Sequence, residues 1–256
     1  RCISDVNDIC ELLFSLIKLE KMENRTHPED WNKGAKPPDE WRKGLFGVLG
    51  VPVEYDSNPM SGKPWITWFT AFFITIISLV SFIDIERSIE LLGLVPSEVT
   101  KYGGFNLLSS FFVHAGIFHL VGNLYYLLVF GDNVEDVLGK WRFFYLILSA
   151  TLVGAVFHVL GAPSSTTPCI GSSGGVSGLV SFYALRFPSS KLGLMFIVYF
   201  RVYWFKLSAF WLFVIWTILQ LYGVWGQLGG FGNTSYLAHV GGALVGVFYW
   251  FSTKDE

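Results

Sequence analysis

The sequence predicts an all-α polytopic membrane protein: a bundle of six helices whose fourth is short and starts inside the membrane. Three observations predict it. Apolar residues make up 52% of the chain and charged residues only 15%, against roughly 25% charge in a soluble domain. The charges are also segregated, with no Asp, Glu, Lys or Arg from Trp65 to Ile83, Tyr102 to Gly131, Phe143 to Leu185 or Leu207 to Thr253. Finally, Arg186 closes one of the resulting segments too early for it to cross a bilayer unaided.

Residues 1–63 read as a separate cytoplasmic segment, partly disordered or small and helical, and 64–256 as the membrane domain. Within the first, "DICELLFSLIKLEK" at 8–21 has apolar residues at helical spacing. "HPEDWNKGAKPPDEW" is charged and loop-like. The chain starts at Arg1, and whether the residues before Met22 are native or an artefact stays open. Cys2, Cys10 and Cys169 are too dispersed to imply a disulfide framework.

A hydrocarbon core about 30 Å thick takes about 20 apolar residues as helix. The first two uncharged runs therefore hold one span each, and the last two hold two each. "GAPSSTTPCIG" (161–171) and "GVWGQLGGFGNTSY" (223–236) break the long runs with turn residues. Trp65, Trp68, Trp141, Trp225 and Tyr236 fall near span ends, as interfacial aromatics do. With a cytoplasmic N-terminus, sixteen of the 18 Lys and Arg lie inside and only Arg87 and Lys101 outside, the asymmetry expected of a membrane protein. Arg201 and Lys206 belong to that inner set, and Glu135, near the end of the second span, reads as a structural bond to a neighbouring loop or helix end.

Polar side chains inside a bilayer are costly and suggest function. The second span carries His114, His119 and Asn123, the third ends near His158, the fourth opens with Ser172, Ser173 and Ser177, and the sixth carries His239. Ser173 lies 13 residues from Arg186, His239 lies 15 from Lys254 and His119 lies 13 from Asp132. At 1.5 Å per residue these are all roughly 20 Å above the inner surface. Ser177, nine residues from Arg186, sits about one turn deeper. The depth count favours Ser173 over Ser177 without excluding the latter. The loop before Ser173 must dip into the membrane, and irregular backbone is tolerated there only if buried or lining a water-filled cavity.

Gly174 and Gly178 follow Ser173 at a spacing of four, and Gly242 and Gly246 follow His239 at the same spacing. Small-xxx-small faces let membrane helices approach closely, which brings Ser173 and His239 within reach as nucleophile and general base. His119 and Asn123, four apart, share a helix face and can donate to an oxyanion together with the Ser173 amide. No acid is present at that depth to orient the histidine, so the expected arrangement is a Ser-His dyad.

These residues resemble the rhomboid family of intramembrane serine proteases, over about Pro64 to Phe251. Gly171, Ser172, Ser173 and Gly174 match its G-x-S-G motif, with Gly178 as the small residue five positions on. His239, Gly242 and Gly246 match H-x-x-G-x-x-x-G, and His119 and Asn123 match H-x-x-x-N. "FGDNVEDVLG" and "VPSE" are similar to the bacterial branch, and His114 resembles a further family histidine at the head of the second span. The resemblance implies cleavage of transmembrane substrates near the outer face, with Ser173 as nucleophile, His239 as base and His119 and Asn123 at the oxyanion. It also implies a multi-pass protein of the cell inner (plasma) membrane with both termini cytoplasmic. Two departures stand out. The Trp-Arg pair of the first outer loop is absent from "GGFNLLSSFFVHAG", and Ser177 replaces the aromatic that often packs on the base.

Each motif alone is weak. "GVSG" at 175–178 shows how readily a Gly-x-Ser-Gly arises from helix packing. The shared depth and the short fourth span outweigh these bland readings, and the presence of both Ser173 and His239 favours a protease over its runner-up, a catalytically silent rhomboid-like binder of transmembrane clients. A transporter is disfavoured because no intramembrane carboxylate or Lys/Arg is there to carry ions. The chain has no H-E-x-x-H for zinc and no pair of intramembrane aspartates. No metal, cofactor or nucleic acid is expected; the expected partners are the lipid bilayer and membrane-protein substrates. His158 reads as structural and His27 as solvated.

Overall fold

The structure is a computed structural model that describes residues 53–54, 62–198, 201–231 and 234–255. The amphipathic stretch read at 8–21 lies outside these residues. The chain divides into two compact units, 1–55 with 191–207, and 56–190 with 208–256.

In the first unit, β1 (Val53–Glu54), β2 (Lys191–Val198) and β3 (Arg201–Ser208) form a three-stranded sheet in that order. β1 runs antiparallel to β2, with Val53 opposite Gly193 and Glu54 opposite Leu192. The sequence reading, all-α with Arg186, Lys191, Arg201 and Lys206 on one inner segment, does not include this sheet. Its local cause is legible afterwards, because "KLGLMFIV" and "RVYWFKLS" are rich in β-branched and aromatic residues.

The second unit is helical. It comprises α1 (Trp65–Ser81), α2 (Ile85–Leu92), α3 (Asn106–Ser109), α4 (Ile117–Gly161), α5 (Ser173–Arg186), α6 (Ala209–Leu228) and α7 (Tyr236–Thr253). Among the described residues, α4 and α6 are long and apolar enough to cross a membrane, and α1 is a shorter apolar helix. α4 is two arms, because Gly139 adopts φ 73° and ψ 163° at a kink, a conformation open to glycine. Each arm is about 33 Å long at 1.5 Å per residue.

The packing is inverted relative to a water-soluble bundle. α1 buries Thr67, Ala71, Ile74, Ser78 and Ser81, a stripe of mostly small residues at alternating spacings of four and three. Phe69, Phe72, Phe73 and Val80 stay exposed on its other side. Small residues at the contact and bulky apolar ones outside are what lipid favours. α5 is buried over most of its length, from Gly175 to Ala184, so it is the central helix. At 14 residues it is about 21 Å long, short for a span. By contrast α6 buries only Ala209, Phe210 and Gln220.

α5 and α7 touch backbone to backbone. A Cβ on Gly242 would lie 1.9 Å from the Gly174 carbonyl oxygen, and one on Gly246 would lie 2.0 Å from that of Gly178. Gly178 is itself enclosed by Ala150 of α4 and by Gly242. The Ser181 hydroxyl adds a cross-link, donating to the Ala243 carbonyl at 2.8 Å.

The start of α1 is capped from a distance. Pro64 at its N-cap offers no side-chain bond. Instead the Glu135 carboxylate accepts from Ile66 N at 3.0 Å, Thr67 N at 2.8 Å and the Thr67 hydroxyl at 2.9 Å. Buried helix ends need such partners. Glu135→Ala strands these donors and is expected to cost about 3 kcal/mol, read as a lowered thermal midpoint in detergent micelles, whereas Glu135→Gln, which keeps one acceptor oxygen, loses less.

Two boundaries differ from the sequence reading. The second span does not contain His114, since α4 starts at Ile117 and residue 113 is extended. The break expected at 223–236 begins only at Gly229, because α6 continues through Gly223 and Gly226. Gly223 there makes room for a neighbour rather than a turn: its Cβ would lie 2.2 Å from the Tyr236 ring.

Candidate active site

Ser173 is the first residue of α5, with Ser172 as N-cap. The first amides of a helix have no intrahelical acceptor, so the Ser173 N–H belongs to a set of donors at a positive helix end. The Ser173 hydroxyl lies 2.9 Å from His239 Nε2. The glycine contacts between α5 and α7 bring these two side chains together, since Ser173 stands one residue before Gly174 and His239 three before Gly242. Ser177 does not compete for the histidine. Its hydroxyl donates to the Ser173 carbonyl at 2.7 Å, one turn back along the same helix.

The other ring nitrogen of His239, Nδ1, lies 2.8 Å from Gln220 Oε1 on α6. Gln220 has no counterpart in the sequence reading of the site. The signal for it is the rule that flags the histidines, because Gln220 is the one amide side chain in the apolar stretch 207–226. The Tyr236 ring also lies edge-on to His239, at 6.2 Å between centroids.

His119 and Asn123 lie on the first arm of α4. His119 borders the loop that leads into Ser173: a Cβ on Gly171 would lie 2.8 Å from its Nε2. Gly171 adopts φ 118°, open to glycine and strained for other residues, so this position is closed to side chains twice over. Asn123 spends one amide hydrogen on the His119 carbonyl at 2.9 Å and keeps one to donate elsewhere.

His114 is fully buried and ties three segments together. The Ser172 N–H donates to its Nε2 at 3.3 Å, so that nitrogen carries the lone pair and Nδ1 the hydrogen. Nδ1 is 2.9 Å from the Ser78 hydroxyl, which in turn donates to the Phe112 carbonyl at 2.8 Å. His114 thereby fixes the N-cap of α5 to α1 and to the segment before α4. It holds the start of α5 in position.

The loop between α1 and α4 lacks a Trp-Arg pair and is anchored differently. Asn106 Nδ2 donates to the Gly93 carbonyl at 2.7 Å and the Ser109 hydroxyl to that of Leu92 at 2.8 Å. Leu94 and Cys169 exchange backbone bonds at 3.0 and 2.8 Å, and Gly171 N donates to the Ser110 carbonyl at 2.9 Å. The loop between α1 and α4 and the strand of chain entering Ser173 are thus one hydrogen-bonded assembly. His158 bonds the Ser235 hydroxyl at 2.6 Å, at the start of α7. Among the described residues no group of three or more His, Cys, Asp or Glu could hold a metal ion.

Comparison with known proteins finds a match of residues 102–255 to the family model described as the Rhomboid domain. The chain is 29% identical over 154 residues to "Rhomboid protein 1, mitochondrial" of Saccharomyces cerevisiae, covering 58% of this chain and 42% of that protein. It is 31% identical over 144 residues to "Presenilin-associated rhomboid-like protein A, mitochondrial" of Danio rerio, covering 55% and 35%. It is 26% identical over 145 residues to "Presenilin-associated rhomboid-like protein, mitochondrial" of Homo sapiens, covering 56% and 36%. The matched region spans less than half the length of each of these relatives.

Proposed function

Because the chain belongs to the rhomboid family, we propose that it is an intramembrane serine endopeptidase that cuts transmembrane-helix substrates near the outer face of the membrane. The observation that carries this reading is the 2.9 Å contact between Ser173 Oγ and His239 Nε2 at the start of a short, buried helix. In this reaction His239 Nε2 takes the Ser173 proton as Oγ attacks the scissile carbonyl. The oxyanion is held by the Ser173 N–H, His119 and the free amide hydrogen of Asn123. His239 then gives its proton to the leaving amine, and water hydrolyses the acyl-enzyme by the same base. None of these steps calls for a metal or cofactor.

Substrate enters sideways from the lipid past α6. That helix buries only three residues, so moving it costs less packing than moving any helix around α5. The membrane domain crosses the bilayer six times, with the two arms of α4 as the second and third spans and both termini on the side rich in Lys and Arg. The relatives are named as mitochondrial. The side bearing the basic segments is then the matrix in a mitochondrion and the cytoplasm in a bacterial inner membrane.

The test is cleavage of fluorescent transmembrane reporters by the purified full chain in proteoliposomes, with the cut mapped by mass spectrometry. A cut within the outer third of the reporter helix supports the protease. Reporters bound by the protein yet left intact across a panel of sequences sink it and favour a client-binding role.

A further inference from the structure

The two nitrogens of His239 have different neighbours, Ser173 Oγ at 2.9 Å on Nε2 and Gln220 Oε1 at 2.8 Å on Nδ1. A neutral imidazole carries one hydrogen, and the nitrogen that holds it decides which nitrogen can act as base. To take the serine proton, Nε2 must present its lone pair. The hydrogen must then sit on Nδ1, where a buried donor needs an acceptor. Gln220 Oε1 is that acceptor.

Three further facts isolate Gln220 in this role. Ser177 occupies the position four after the nucleophile, and its hydroxyl is already spent on the Ser173 carbonyl. The other two buried residues of α6, Ala209 and Phe210, lie at the far end of the helix. Gln220 is therefore the lone buried residue in the second half of α6. Its amide is also two-faced. With Oε1 toward His239 it fixes the hydrogen on Nδ1, whereas with Nε2 turned inward it would donate to Nδ1 and force the hydrogen onto the nitrogen facing Ser173.

Resting on the protease reading above, we propose that Gln220 is the positioning residue of the site: it holds His239 in the Nδ1–H tautomer, and the dyad works as a Ser-His-Gln relay of hydrogen bonds. Gln220 does not touch substrate. It acts through the base.

The test compares the wild-type chain with Gln220→Met, which keeps the volume and removes the acceptor, and Gln220→Glu, which keeps an acceptor oxygen. ¹⁵N NMR of labelled histidine in lipid nanodiscs reads the tautomer of His239 without any need for turnover. The expected result is a hydrogen on Nδ1 in wild type and Gln220→Glu, and a loss of that preference in Gln220→Met. In the reporter assay Gln220→Met lowers kcat about a hundredfold with KM unchanged, and Gln220→Glu recovers most of the loss. A Gln220→Met protein that keeps both the Nδ1–H tautomer and wild-type kcat overturns the proposal. So does a wild-type His239 with its hydrogen on Nε2. A wild-type chain with the expected tautomer that cuts no reporter and takes no fluorophosphonate label at Ser173 would instead overturn the protease reading and leave the tautomer assignment standing.

Discussion

Ser173→Ala is expected to abolish reporter cleavage, with kcat falling by at least about a thousandfold, while Ser177→Ala keeps turnover close to wild type. The two serines lie on the same helix one turn apart, so the contrast turns on which hydroxyl meets His239. Ser173 Oγ lies 2.9 Å from His239 Nε2, whereas the Ser177 hydroxyl is turned back onto the Ser173 carbonyl. Removing Ser177 Oγ deletes an intrahelical side-chain bond of a kind that contributes little to helix stability. Removing Ser173 Oγ deletes the proposed nucleophile. A fluorophosphonate probe offers a second readout, labelling wild type and Ser177→Ala and leaving Ser173→Ala blank. If Ser177→Ala is the silent variant, the assignment of the nucleophile is wrong.

Gly242→Ala is the second large effect, and it acts on stability and chemistry together. The added methyl would lie 1.9 Å from the Gly174 carbonyl oxygen, a backbone atom that no rotamer change can move aside. α5 and α7 must separate by about 1 Å or more, at an overpacking cost of about 1–3 kcal/mol. Ser173 precedes Gly174 by one residue on α5, and His239 precedes Gly242 by three on α7, so the same separation pulls the proposed nucleophile and base apart. A misplacement of that size costs about a hundredfold in rate. Thermal unfolding in micelles and the reporter assay together read both losses. Gly122→Ala is the control: it lies on α4 with nothing within 4 Å of its Cβ position, and replacing a helical glycine by alanine in open space is neutral or mildly stabilising. Equal losses from both substitutions would show that glycine flexibility, rather than close approach, matters at Gly242.

How far the sequence could be read depended on the range of the interaction. The uncharged runs and the early stop at Arg186 determined the helical membrane domain and the short central helix, because transfer into lipid is a local property of each segment. The glycine pairs at 174/178 and 242/246 marked the faces of α5 and α7 that could meet, since helix geometry fixes which residues share a face. The role of Glu135 was visible only as a polar residue in need of a bond. Its partners, Ile66 and Thr67, are nearly 70 residues away in the chain.

Tertiary structure decided the rest. Which serine meets His239 depends on where α5 starts, and that is set by Gly171, the His114 bond to Ser172 and the anchored loop between α1 and α4, none of which has a periodic signature. The partner of His239 Nδ1 comes from α6, a helix whose sequence is almost uniformly apolar, so its rotation about its own axis is not written in any hydrophobic pattern. The strands of 191–208 were masked by the same apolar and basic composition that suits a membrane-flanking loop, because strand formation depends on finding a neighbour to pair with. Sequence by itself thus determined the membrane domain and its candidate reactive groups, through local solvation and helical periodicity. Packing between segments distant in the chain decided which of those groups face one another.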